Sequence, residues 1–306
     1  MKHVLRKIVK ATPMYPVLRY IVKRHRIRQA IRKIVKVTPM YPVLQYIVKR
    51  HRIRRAIRQF WEWSAVDQTR LDFYQQFVTP GDVVFDVGAN LGNRAKVFSR
   101  LGAVVVAVEP QTACSDFLYS VFKDTANFHL VRKALGASAG QAEMFISNIH
   151  MISSMSPDWI RSVKESGRFS QYSWDRKEEV IIDTLDNLIA KYGCPAFVKI
   201  DVEGFEDQVV SGLSTPVGAI SMEFTPEFMG NTLRCIDHLC RLGDVCFQLS
   251  LGESMKFLLP KWETEEEIKR ALSQVPSECF GDLYARFNVQ QGTAPDGDSA
   301  ALHSCR

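Results

Sequence analysis

The first 61 residues contain no aspartate and no glutamate, although they hold 18 of the chain's 40 lysines and arginines. The rest of the chain carries 22 basic against 33 acidic side chains, so the net charge of +7 averages a basic arm and an acidic body. Seven cysteines include no C-x-x-C pair and seven histidines no H-x-x-x-H. Those absences remove the usual structural zinc spacings and suit free or buried thiols in a reducing cytoplasm. No apolar run is long enough to span a membrane, and no apolar core with a small-residue cleavage site marks a signal peptide. The pyrophosphate fingerprint G-x-G-x-x-G is missing as well, because Asn90 stands where its second glycine would fall.

What the arm does have is a duplication. Residues 5–30 return as residues 31–56 with four differences, each copy opening its helical pattern after a Pro-Met-Tyr-Pro break. Two copies are too few for a self-supporting solenoid. In the second copy Leu44, Ile47, Val48, Ile53, Ile57 and Trp61 recur at helical spacing, with Lys and Arg filling the rest of the wheel. Three readings stay open for residues 1–61. They are a basic helix on an anionic membrane surface, an extension packed on protein, and a phosphate contact with nucleic acid. The third lacks an accompanying base-reading module.

From Gly81 the chain alternates buried strand and helix. Strand patterns end in "FDVG", "AVEP", "KIDVEG" and "SMEF", and helical patterns follow them. This rhythm predicts an α/β domain over 62–289 with an open, doubly wound, mostly parallel sheet. Residues 148–178 read as a long polar loop, and 290–306 as a disordered tail. In such sheets ligands bind beyond the carboxyl ends of the strands, where the strand order reverses.

Three candidate sites fall at those ends. In "FDVGANLGN", Gly88 permits a tight turn, Gly92 permits close approach of the next helix, and Asp86 can accept bonds from an ammonium or from loop amides. Glu109, 17 residues beyond Gly92, ends the second strand where an acid can hold both hydroxyls of a ribose. Nicotinamide dinucleotide and S-adenosylmethionine both satisfy that pair, and the Asp86 carboxylate favours the second. In "VKIDVEGFED", Asp201 and Glu203 stand at the strand end facing the cleft, whereas Glu206 and Asp207 fall in the first turn of a helix and suit its dipole.

"VFDVGANLGN", "VVAVEPQ", "TLDNLIAKYG", "FVKIDVEGFED" and "SMEFTPEF", in this order over residues 66–288, resemble the FkbM family of S-adenosylmethionine-dependent methyltransferases. The resemblance implies a seven-stranded class I methyltransferase fold, Rossmann-like, and O-methylation of a hydroxyl on a sugar or small metabolite. It matches Asp86, Gly88, Asn90 and Gly92 to a cofactor motif, Glu109 to the ribose acid, and Asp201, Glu203, Gly204 and Glu206 to the family's second motif. It says nothing of the duplicated arm.

An aliphatic hydroxyl must lose its proton as the methyl arrives. Asp201 is the first candidate for that base and Glu203 the second, with His150 as another option and Ser153 and Ser154 as substrate contacts. No spacing demands a metal, although Glu223 is available as a third oxygen ligand beside the two acids. No Asn/Asp-Pro-Pro-Tyr stretch points to methylation of a base amine, and the acidic body does not suit a nucleic-acid backbone. The alternative is a cofactor-binding module without turnover, tethered to a membrane or partner by its arm. Either way the expected location is the cytoplasm, with peripheral membrane contact through residues 1–61.

Overall fold

The structure, a computed structural model, describes residue 57 and residues 59–288. The chain divides into two units, Met1–Glu62 and Trp63–Arg306, and the second holds everything described below. The duplicated arm, apart from residues 57 and 59–61, and the tail from 290 onward lie outside the described residues.

Helix α1 (Ala65–Tyr74) comes first, nucleated by a capping box in which Ser64 and Asp67 exchange backbone bonds. The chain then runs through β1 (Val83–Val87), α2 (Asn93–Arg100), β2 (Val104–Val108), α3 (Thr112–Phe122) and β3 (Phe128–Val131). An excursion follows, made of β4 (Ala134–Leu135), β5 (Gly140–Ile146), α4 (Pro157–Glu165) and β6 (Arg176–Asp183). Helix α5 (Leu185–Tyr192), β7 (Phe197–Ile200), α6 (Glu206–Ser211), β8 (Ala219–Phe224) and α7 (Met229–Leu242) resume the alternation. Strand β9 (Val245–Leu251), α8 (Glu265–Leu272) and β10 (Gly281–Phe287) complete it.

Seven strands form one sheet in the order β3-β2-β1-β7-β8-β10-β9. The first five are parallel to their neighbours, and β10 inserts antiparallel between β8 and β9. The chain winds outward from β1 to β3 and returns to lay β7 against the other side of β1. The order therefore reverses between β1 and β7, which places a crevice at their carboxyl ends.

Both faces of the sheet are covered, which is why its central strands are apolar almost throughout. On one face Phe85, Val87, Val198, Ile200, Ile220 and Met222 pack against the buried sides of α5, α6 and α7. The other face carries an aromatic layer in which Tyr74 of α1 meets Phe98 and Phe197, and Phe77 stacks on Phe197 and Tyr284. Asp86, Lys199, Ser221 and Tyr284 are neighbours in register on that second face.

The segment 148–178 is not the polar loop that its composition suggests. Ser156 accepts the Trp159 amide, Pro157 occupies the first helical turn, and α4 buries Trp159, Ile160 and Val163. Those side chains form a separate small core with Ile152 and Trp174. Strand β6 then pairs with both β4 and β5 in a three-stranded sheet. Among the described residues no helix is long and apolar enough to cross a membrane.

Candidate active site

The glycine loop and the end of β7 are built against each other. Gly88 has φ +79°, and any Cβ placed on it would collide with the Asp201 carbonyl oxygen. The Gly88 and Ala89 amides donate to the Val108 carbonyl at 2.9 and 3.0 Å, which locks the loop onto β2. Gly92 also has positive φ, but a side chain there would meet Leu118 and Phe122. It therefore serves the packing of α2 on α3 rather than an approach to the cleft.

Glu109 joins the two strand ends. Its carboxylate accepts the Asn90 amide at 2.8 Å on one oxygen and the Gln111 amide at 2.7 Å on the other. Burial pushes its carboxyl up to about 7, against the pull of those two bonds. Each oxygen keeps a second lone pair, so the acid can still accept from outside. Asn90 itself adopts φ +50°.

Asp86 lies elsewhere than the cleft wall. It is enclosed against the start of α2, where burial pushes its carboxyl up to about 6 despite the opposing charges of Arg94 and Lys199. Its Oδ2 has no hydrogen-bond donor.

After β7 the chain makes a tight turn. Glu203 has φ +55°, a left-handed conformation that costs energy for a residue with a side chain and clusters at working sites. Ser154 Oγ donates to the Glu203 carbonyl at 2.6 Å, and Glu206 accepts the Val202 and Gly204 amides, both at 3.2 Å. Glu206 thus caps the turn from the first position of α6. Asp207 accepts from Asn231 and Arg234, tying α6 to α7. Gly204 has no room for a side chain because the Trp159 indole lies on it, so the small core around α4 is pressed directly onto the turn.

A partly open cleft lies between these parts. Gly88, Asn90, Glu109, Ser153, Asp201 and Glu203 all line it. Ser154 does not: it is fully buried and spends its hydroxyl on the turn. The His150 ring is not on the wall either, and burial lowers its pKa. Its backbone carbonyl accepts from the Asn90 and Gln111 side chains at 3.4 and 3.1 Å, so the residue secures the loop through its main chain.

Asp201, Glu203 and Glu223 each bring a carboxylate oxygen within 4.8 Å of the others. That spacing admits a shared cation, and acid clusters of this kind also exist without one. Burial drives the Glu203 and Glu223 carboxyls well above the usual range, and repulsion between Glu203 and Glu223 and from Asp201 adds to it.

Lys199 escapes a reading of the sequence altogether. Strict alternation along 198–203 places it on an exposed face, yet all four residues of β7 are buried. Its ammonium lies 2.9 Å from Asp282 Oδ1 and 3.5 Å from Asp201 Oδ2. The one available signal was a lysine inside an otherwise apolar strand.

This sheet order, with an antiparallel strand inserted between the last two, is that of the class I methyltransferase fold. The methyltransferase FkbM domain matches residues 86–246, more than half of the chain. The chain belongs to the FkbM methyltransferase family, and its cofactor is S-adenosylmethionine. No curated protein matches it.

Similar solved structures include the precorrin-6Y C5,15-methyltransferase of Geobacter metallireducens, with a TM-score of 0.40, 10% identity, and coverage of 72% of this chain and 87% of that one. The magnesium protoporphyrin IX methyltransferase of Synechocystis with bound SAM has a TM-score of 0.38 and 10% identity, covering 73% and 78%. An O-methyltransferase of Bacillus cereus in complex with SAH has a TM-score of 0.38 and 9% identity, covering 78% and 90%. The residues in hand fit the cofactor's nucleoside end: Gly88, Asn90 and Glu109 line one cleft, and Glu109, with one backbone amide on each oxygen, retains acceptor capacity.

Proposed function

We propose that the protein methylates a hydroxyl group on a sugar or small metabolite, with Asp201 as the base. The observation that carries this reading is that Asp201 and Glu203 stand on the wall of the same cleft as Gly88, Asn90 and Glu109. When bound, S-adenosylmethionine supplies a methyl group already activated by its sulfonium. The protein's work is then alignment and removal of one proton.

Glu109 accepts the ribose hydroxyls through its free lone pairs, held in place by the Asn90 and Gln111 amides. Asp201, whose side chain is 39% exposed, is reachable by an acceptor and would take the proton of its hydroxyl. Glu203 stands second in line for that proton. The arm, with 18 basic and no acidic residues over 1–61, suits an anionic membrane surface near such an acceptor.

The test is Asp201→Asn, assayed for methyl transfer to a panel of sugars and hydroxylated metabolites. Thermal protection by S-adenosylhomocysteine serves as the control for folding. Protection without transfer supports the assignment, and full transfer by the folded variant overturns it.

A further inference from the structure

We propose that Lys199 is a positioning residue for methyl transfer: its buried ammonium, anchored by Asp282, holds the Asp201 carboxylate in place at the cleft. The inference rests on the reading of Asp201 as the base.

A lysine in the middle of a parallel strand needs an explanation. The Lys199 side chain is 2% exposed, and its strand neighbours Val198 and Ile200 are apolar on the opposite face. A strand position covered on both sides is filled at least as stably by an aliphatic residue, because burying a charge costs more than a single ion pair returns. Lateral neighbours in the sheet are Asp86 on β1 and Ser221 on β8.

The ammonium has three oxygen neighbours. Asp282 Oδ1 lies at 2.9 Å, the Ile200 carbonyl at 3.4 Å and Asp201 Oδ2 at 3.5 Å. Asp282 is itself buried and bonds the Tyr284 hydroxyl through its other oxygen. One of the two carboxylates is therefore sealed in the interior, while the other opens on the cleft. Asp282 alone suffices to pair the charge, so the approach to Asp201 is what a purely structural ion pair would not need.

Asp201 requires such a hold. Its other close neighbours in the cleft are Glu203 and Glu223, each with an oxygen within 4.8 Å. Negative charge on either of them would push the Asp201 carboxylate toward solvent. Asp201 is the carboxylate with that freedom, and Lys199 pulls it in the opposite direction. Arg94, also buried on this face, is committed to Glu253 through two bonds at 2.9 and 2.7 Å.

Lys199→Met alone leaves Asp282 buried without a partner and can unfold the protein, so the decisive variant is Lys199→Met with Asp282→Leu. That pair replaces the ion pair by apolar side chains and preserves the packing function. The expected result is a folded protein that binds S-adenosylhomocysteine with unchanged Kd, while kcat falls ~10- to 100-fold, the scale of a misplaced catalytic group, and the cofactor KM stays constant. A crystal structure of this double variant with S-adenosylhomocysteine supplies a readout that needs no acceptor, and it should show the Asp201 carboxylate turned away from its present position. Retained kcat, or an Asp201 carboxylate in the same place, overturns the proposal. If Asp201→Asn is inactive while the double variant is active, only Lys199 loses its role. If Asp201→Asn is fully active, the base assignment falls and this inference falls with it.

Discussion

The backbone amide of Asn90 and the carboxylate of Glu109 meet at 2.8 Å, so the loop after β1 and the acid at the end of β2 form one rigid unit. Removing either half disturbs the other. Glu109→Ala leaves the Asn90 and Gln111 amides without their acceptor and removes the proposed anchor for a ribose. The expected outcome is a rise of about 10- to 100-fold in Kd for S-adenosylhomocysteine, the worth of hydrogen bonds to a charged group. Titration calorimetry of the folded variant measures it.

The same acid makes stability depend on pH. Its folded carboxyl is raised from 4.5 to about 7, so the folded state binds a proton that the unfolded chain has already released. The stability linked to that proton is fully present below pH 4.5 and is lost as pH rises through 7. Denaturant unfolding of the cofactor-free protein should therefore show stability declining across that window, beyond the decline in a Glu109→Gln variant, which keeps the shape and removes the titration.

Gly88→Ala should be among the most damaging single-methyl additions in the protein. The new Cβ collides with the Asp201 carbonyl, and the residue must also hold φ +79°. Left-handed strain and overpacking together cost about 3 kcal/mol or more. Thermal unfolding should register that loss. Cofactor binding should weaken too, because the strand ends that frame the cleft are forced apart.

Ser154→Ala separates turn geometry from cofactor binding. Its hydroxyl holds the Glu203 carbonyl at 2.6 Å and accepts the Ser156 amide at 2.9 Å. Losing a buried bond of this kind costs about 1–2 kcal/mol. We expect a matching drop in stability and a severalfold fall in kcat, with the Kd for S-adenosylhomocysteine unchanged. Equal losses in kcat and in cofactor affinity would mean that Ser154 supports the whole cleft rather than the turn.

The strands nearest the site were the most legible part of the sequence. "VVFDV", "VVVAV" and "AISMEF" are apolar runs bounded by turn residues, and they become β1, β2 and β8. Gly88, Asn90, Glu109, Asp201 and Glu203, picked from strand ends, do converge on one cleft. Asp86, two residues before Gly88, does not join them on the cleft wall, because its place on β1 turns its side chain to the sheet's second face. Helix α4 was hidden by its polar neighbours, although Ser156, Pro157 and the apolar residues 159, 160 and 163 contain its start signal and its buried stripe. Lys199 was hidden for a deeper reason. Alternation reports which residues differ in polarity, but not whether the second face is covered, and here α1 and α2 cover it. The antiparallel insertion of β10 leaves no local trace, since it is decided by which strands compete for an edge.

That insertion has a consequence for synthesis on the ribosome. Lys199 emerges 83 residues before Asp282, its closest partner, which arrives on the last strand of the sheet. Until β10 threads between β8 and β9, a growing chain has a lysine bound for the interior without its closest counter-charge. The floor of the cleft is thus among the last parts of the domain to close, and a nascent chain halted before residue 282 is expected to hold the glycine loop without the Lys199–Asp282 pair beneath the cleft.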